Sequence, residues 1–584
     1  MQKSRRFIFF NPQPLSWSSY LPYIKLGKDI ANLGHKITFL NCKSSLEGSC
    51  PTHWSAFHSV NLKKDKKDNL KNLCTKCIFY QKKISSIDNN FSSINLEDFT
   101  NVSVKTACSK LIKKLSNKPI EKIINFKIEN IPLGKFAAYE LLLSFKKKNL
   151  NFDANQQKIY LKSLKKSIFL FFIIKKLINN FFFTDVIVNN SSYSMNRIMM
   201  SLCRKYKKNV YNFEHGDHFG NRLSLLEFTK FSSTINHSYF LKNKIWPHLK
   251  NKNTLTKKSL SLVFEHFNSV FDKKLYMTFS KKPERNFNII DKLKISKSQK
   301  IILLVTSSAD EGFANKTVGN RYPKKKLFKT NIDWLKFTLN FAKKNPKLFF
   351  ILRIHPRLMP SKRNPLNSEE INNFKKIFNN QLPKNIFVNW PSQNISLYNF
   401  LPYSDVVLTE GSSVTLEALL FGLPVLTCSE EYSVVPNDLV VISRNKSQYV
   451  ENIKKNLNKS IQISKILKTI NWIALKLVSS KINNLKSYNL HESLINKFFN
   501  KFFRYIFLSY NILIINKINQ KNLHLKKILD TNSKSPAEII NVSDFANDNM
   551  KNVKKLVKKK IFSILNSIHF NFNIRSKISK YYKF

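Results

Sequence analysis

Glycine is scarce in this chain, 10 of 584 residues, and proline is modest at 19. So little of either argues against a collagen-like or low-complexity architecture. Nowhere do about 18 apolar residues run uninterrupted, so no transmembrane helix is expected; the nearest candidate, Ser167 to Ile174, is cut off by Lys175 and Lys176. Seven cysteines, an odd number in a long chain, argue against a disulfide framework. Acidic residues are the other shortage: 36 Asp and Glu stand against 99 Lys and Arg, a formal net charge of +63. Such an excess suits phosphates. Yet lysine far outnumbers arginine, which base readout favours, and the basic residues spread along the whole chain beside abundant Asn, Ile and Phe. That pattern reads as drift toward A/T-rich codons. An anionic membrane surface or an acidic polymer is the expected partner, and nucleic acid is not.

What the chain does have is apolar material, 42% of its residues, enough for several cores. At about 100–200 residues per domain, three or four structural units are expected. The start, MQKSRRFIFFNPQPLSW, has an apolar run too short for a signal peptide and reads as a first strand, Phe7 to Phe10. Tyr23, Leu26, Ile30 and Leu33 then recur at helical spacing, Gly34 stops the helix, and Lys36 to Leu40 forms the next strand. The rhythm fades over residues 60–165, which are Lys-rich and mostly helical in pattern, and returns at DVIVNN (185–190), a helix near 193–206 and VYNFEHGD (210–217). A second series runs through IILLV (301–305), a helix around 334–343, LFFILRIHPR (348–357), NIFVNW (385–390), DVVLTEGSS (405–413), a helix through Leu420 and PVLT (424–427). Apolar strands alternating with helices predict parallel sheets covered on both faces. The expected division is a Rossmann-like domain over 1–240, a connection over 241–298, a second Rossmann-like domain over 299–456 and a helical, basic extension over 457–584.

In open α/β sheets ligands sit beyond the carboxyl ends of the strands, and two polar clusters fall there. Arg353, His355, Pro356 and Arg357 end one strand; Glu410, Gly411, Ser412 and Ser413 lead from another into a helix. Serine at a helix start caps free N–H groups, which also attract phosphate. Glu417, on the first turns of that helix, is placed to accept hydrogen bonds from ribose hydroxyls. Taken singly, Ser413 reads as a cap and His355 as a loop histidine; together, in this order, they read as a phosphate site.

RIHPR followed by SDVVLTEGSSVTLEALLFGLPVL resembles the donor-binding half of GT-B glycosyltransferases, above all those of bacterial capsule and surface-polysaccharide biosynthesis. Kdo transferases, bacterial sialyltransferases and polyglycerophosphate transferases, which use cytidine nucleotides, share a His-Pro motif and a later Ser-Ser motif around the donor phosphate. His355-Pro356 and Ser412-Ser413 match those positions. TSSADEGF and NIDWLKFTLNFAKKNP, before RIHPR, add to the likeness, which spans about residues 300–443. The resemblance implies two Rossmann-like domains facing a cleft. It further implies a glycosyltransferase with a CMP- or CDP-linked sugar donor favoured and a polysaccharide or lipid-linked acceptor. The expected location is cytoplasmic, at the inner face of a membrane. No DxD motif accompanies the second domain, which suits metal-independent transfer with no required cofactor. The alternatives are a polyglycerophosphate-type transferase, a nucleotide-sugar 2-epimerase, which typically carries Ser-Gly-Gly where this chain has Gly411-Ser412-Ser413, and a non-catalytic GT-B scaffold.

Three further features bear on function. Glu214, His215, Gly216 and Asp217 end a strand of the first domain, where a histidine or carboxylate can take a proton from an acceptor hydroxyl; Asp310 and Glu311 are rivals for that role. Cys42, Cys50, Cys74 and Cys77 form a tetrahedral zinc site or a set of unliganded thiols, with an iron–sulfur or redox role behind both. Lys497 to Lys517 mixes aromatics with Lys and Arg, as a helix lying on an anionic membrane does, or one packed back on the first domain.

Overall fold

A computed structural model of the chain describes residues 4–10, 17–46, 50, 66–215, 225–230, 241–250, 257–272, 280–284, 287–319, 327–361, 364–379, 382–428, 435–478, 481–483, 529, 550–567, 570, 572–573 and 576–582. The chain divides into two units. Unit 1 comprises Met1–Ser144, Asn151–Ser233 and Ser480–Ile539; unit 2 comprises Phe145–Leu150, Thr234–Ser479 and Ile540–Phe584.

Unit 1 is built on strands β1 (Arg6–Phe10), β2 (Lys36–Asn41), β3 (Phe91–Asn95), β4 (Asp185–Asn189), β5 (Asn209–His215), β6 (Leu225–Lys230) and, from far along the chain, β13 (Lys481–Asn483). Their order is β13-β6-β5-β4-β1-β2-β3. From β5 to β3 the sheet is parallel; β6 runs antiparallel to β5, and β13 antiparallel to β6. Helices α1 (Trp17–Ala31), α2 (Lys66–Ser85), α3 (Leu133–Ser144), α4 (Ala154–Asn180) and α5 (Ser194–Lys205) are among its helices. Alternate β1 side chains Phe7 and Phe9 join Tyr23, Ile30, Phe39 and Phe91 in one buried cluster. Phe9 meets Tyr23 edge-on at 4.7 Å, the geometry aromatic quadrupoles favour.

Unit 2 is built on β7 (Lys300–Val305), β8 (Leu348–Arg353), β9 (Ile386–Asn389), β10 (Val406–Thr409), β11 (Val425–Thr427) and β12 (Val441–Ile442), in the order β12-β11-β10-β7-β8-β9, all parallel. Helices α6 (Ala309–Thr317), α7 (Asn331–Lys343), α8 (Glu369–Phe378), α9 (Val414–Leu420), α10 (Lys446–Leu457) and α11 (Ile463–Val478) are interleaved with or follow these strands. Trp334, fully buried, packs with Phe350, Leu352, Val406 and Leu408, and its indole N–H donates to the Tyr449 hydroxyl at 2.9 Å. The chain enters each sheet at a central strand, works outward to one side and then restarts on the other. The switch points are therefore β1/β4 in unit 1 and β7/β10 in unit 2.

Two parallel-sheet α/β units in one chain is the class the sequence leads one to expect. The division along the chain is less linear. β13 pairs into the sheet of unit 1, while α12 (Met550–Ser567) and α13 (Lys577–Tyr582) belong to unit 2, so residues 457–584 are shared between both units. The expected strand 348–357 ends at Arg353, because Pro356 has no N–H for a ladder and starts a one-turn 3-10 helix, Pro356–Leu358. Among the described residues no helix is long and apolar enough to cross a membrane.

Candidate active site at the strand ends of the second sheet

Two threonines organise the carboxyl edge of unit 2. Thr306, just past β7 and fully buried, donates from its hydroxyl to the Arg353 carbonyl at 3.3 Å and accepts the His355 N–H at 2.8 Å. Thr409, the last residue of β10, accepts the N–H groups of Gly411 and Ser412 at 3.2 and 3.0 Å. Each hydroxyl thus binds backbone groups that the end of a strand leaves unpaired. Gly411 sits at φ +132°, a region that favours glycine, and lets the chain turn from β10 into α9. The two turns flank β7 on its two sides, so the switch point of the sheet lies among them.

At the β8 turn, His355 Nδ1 accepts the Arg357 N–H at 3.2 Å. A neutral imidazole that accepts at Nδ1 carries its proton on Nε2, which makes Nε2 a donor. Arg357 directs Nε and Nη2 to Asp310 Oδ2 at 3.1 and 2.8 Å and lies 3.3 Å from Glu311 Oε1. Ser308 Oγ donates to Asp310 Oδ1 at 2.6 Å. Asp310 and Glu311, rivals for a base role in the sequence, are thereby the ion-pair partners of Arg357. Arg353 faces elsewhere. It is buried, its Nη1 donates to the Asn389 side chain and to the Ile395 carbonyl, and burial pushes its guanidinium down to about 10. Its local duty is to tie β8 to β9 and the segment beyond it.

At the β10 turn, Ser412 Oγ accepts the Val414 N–H at 3.4 Å, while Ser413, at the cap position of α9, makes no side-chain cap bond. The serine expected to cap therefore does not; its neighbour does. Glu410 is buried, within electrostatic range of Glu370 and Tyr449. Glu417 accepts the Tyr398 hydroxyl at 3.3 Å through Oε1, and burial pushes its carboxyl up to about 8. Gly422, at φ +81°, ends the helix where a Cβ would stand 2.5 Å from Ile461 Cγ2.

Sequence reasoning missed several members of this neighbourhood. Glu370, buried in the first turn of α8, accepts from the Asn331 amide at 3.0 Å, and burial pushes it up to about 7. Thr306 and Thr409 have a legible signal, a threonine closing an apolar strand before a serine-rich loop; Glu370 and Asn331 have none, because only the packing of α7 on α8 brings them together.

In unit 1, Glu214 and His215 are the last residues of β5, opposite Glu227 and Leu226 of β6. Their side chains, and Gly216 and Asp217, lie outside the described residues, as does 497–517. Of the four early cysteines, Cys42 and Cys50 are buried and Cys74 and Cys77 half-buried, and burial pushes the Cys42 thiol up to about 11. Among the described residues no three His, Cys, Asp or Glu are grouped so as to hold a metal.

No protein-family model matches the chain, and no curated protein matches its sequence. Among solved structures it is similar to a calicheamicin glycosyltransferase, at 11% identity and TM-score 0.26 over 86% of this chain and 100% of that one. It is similar also to the KpsC β-Kdo 2,4-transferase of Thermosulfurimonas dismutans, at 12% and 0.28 over 49% and 79%, and to a putative UDP-N-acetylglucosamine 2-epimerase of Listeria monocytogenes, at 11% and 0.28 over 81% and 94%. At such scores the case for what this chain binds rests on its own residues.

Proposed function

We propose that the chain is a GT-B-type glycosyltransferase of surface-polysaccharide assembly that takes its sugar from a cytidine-linked nucleotide. One observation carries this reading: His355, Ser412 and Ser413 stand at the carboxyl ends of β8 and β10, on the two sides of β7, around the switch point where doubly wound sheets receive nucleotides. A phosphate there would take hydrogen bonds from His355 Nε2 and the serine hydroxyls, and a ribose hydroxyl could donate to Glu417. Charge-assisted bonds of that kind contribute about 1.5–3 kcal/mol each. The motif resemblance supports a CMP or CDP leaving group. The surplus of lysine suits work beside an anionic lipid surface, where each basic residue near the leaflet contributes about 1 kcal/mol.

The test is a thermal-shift screen of CMP, CDP, UDP and GDP, since a ligand bound only by the folded state raises its melting temperature. A rise with the cytidine nucleotides is expected; no rise with any of the four would leave a scaffold as the better reading. The acceptor's proton we assign to the segment 214–217. His215→Ala, Glu214→Gln and Asp217→Asn are compared for transfer, and at least one is expected to lose about 10²–10⁴-fold in turnover with nucleotide binding intact. Near-normal turnover in all three would move the base elsewhere.

A further inference from the structure

The hexapeptide Phe145–Leu150 belongs to unit 2, although α3 before it and α4 after it belong to unit 1. Lys146 is 1% exposed. Its Nζ donates to the carbonyl of Met359 at 2.9 Å and to that of Leu366 at 2.6 Å. Met359 is the C-cap of the 3-10 turn that His355 opens, and the Ser368 N–H returns to the Leu358 carbonyl at 2.9 Å. One ammonium therefore bridges the two ends of the stretch that leaves the His-Pro turn and comes back to start α8. Its neighbours hold the far side: Lys147 pairs with Glu369 Oε1 at 2.8 Å, and the Asn149 amide donates to Glu369 Oε2 at 3.1 Å. Burying an ammonium is costly unless it is well partnered, so a lysine kept here has a geometric duty.

We propose that Lys146 is a positioning residue of the nucleotide site: by joining the carbonyls of Met359 and Leu366 it fixes the His355–Arg357 turn in the geometry that receives a phosphate, and its charge adds to the cationic field there. The inference rests on the nucleotide reading of that turn and adds a residue from more than 200 positions earlier in the chain, as the sequence separations of 213 and 220 show. Burial and Arg357 push the Lys146 ammonium down to about 8, with Asp310 opposing. Of the charges one step further out, Glu311 on α6 pairs with Arg357, Glu369 on α8 pairs with Lys147, and Lys148 acts on Glu370. Loss of the Lys146 charge as pH rises from 7 to 9 therefore weakens phosphate capture. Ionisation of Glu370, pushed up to about 7, acts in the same direction. Only the difference between wild type and a Lys146 variant assigns the effect.

The experiment uses the full chain, CDP as probe, and Lys146→Met beside His355→Ala. In Lys146→Met, backbone amides of 353–361 are expected to exchange with deuterium about tenfold faster or more while β7 and β10 keep wild-type rates. CDP affinity falls about tenfold, and its decline between pH 7 and 9 flattens. Lys146→Gln, which keeps a donor, recovers part of both losses and replaces Lys146→Met should the latter not fold. Wild-type exchange over 353–361 in the Lys146 variant overturns the proposal, as does wild-type CDP affinity in that variant when His355→Ala has lost binding. If His355→Ala also binds CDP like wild type, the nucleotide reading of the turn is wrong and the proposal falls with it. If wild type binds neither CDP nor CMP, the nucleotide reading fails and the proposal falls with it, whatever the exchange rates.

Discussion

Glu140 shows how burial can turn a common side chain into a pH-sensitive one. It lies on α3, 2% exposed, and its Oε1 accepts both the N–H and the hydroxyl of Ser194 at 2.8 Å, so it caps α5 from a neighbouring helix. Burial pushes its carboxyl from 4.5 up to about 7, the Ser194 bonds opposing. The folded state then holds the proton more tightly than the unfolded one. Stability from this group is fully present below about pH 4.5 and declines as pH rises toward 7. Glutamine keeps the accepting oxygen without the charge. Glu140→Gln is therefore expected to melt higher than wild type at pH 8 and level with it at pH 5; a lower melting temperature at pH 8 would mean that the ionised carboxylate is itself well satisfied. None of this was legible in the sequence, since nothing in LGKFAAYELLLS marks one glutamate as buried. The two site turns were legible for the opposite reason: His355, Pro356, Ser412 and Ser413 break apolar strands abruptly, at the strand ends where open α/β sheets receive ligands. What the sequence did not show was how these residues pair locally. Ser412, not Ser413, caps α9, and Arg353 and Arg357 spend their guanidiniums on Asn389 and Asp310.

At the scale of elements, the apolar parallel strands were readable because burial on both faces leaves runs such as IILLV and DVIVN. The edges were not. β3 reads FSSIN, with two exposed serines, and pairs only because β2 lies beside it. The C-terminal helices had a visible helical period but no visible destination, since an apolar stripe says that a helix is covered and not by what. α12 buries Val553, Val557, Ile561, Ile564 and Leu565 in unit 2, and α13 buries Ile578 and Tyr582. The Lys577 ammonium donates to the carbonyls of Asp405 and Asn456 at 3.0 and 2.5 Å, which ties the chain's end to the amino end of β10. At about 1.5–3 kcal/mol for each large apolar side chain, this burial is comparable with the 5–15 kcal/mol typical of a whole fold. Ending the chain before Met550 is therefore expected to unfold unit 2, seen as loss of its cooperative melting transition and rapid proteolysis. A truncated chain that melts as the full chain does would show these helices to be dispensable.

At the scale of the whole molecule, the repeated theme is a sheet entered at its centre. β1 and β7 are each flanked by the second strand of their series on one side and by a restart on the other, β4 and β10. In unit 2 that restart gathers Thr306, His355, Thr409, Ser412 and Ser413 at one edge. The net charge of +63 says little about where a ligand sits, because lysine is spread over both units; position in the topology says more. The most direct measurement is calorimetric titration of CDP and CMP into wild type, His355→Ala and Ser413→Ala, each checked for a wild-type melting temperature. The account predicts one nucleotide site per chain and about a tenfold or greater loss of affinity in both variants. Nucleotide bound with unchanged affinity by both folded variants, or by none of the three proteins, would contradict it.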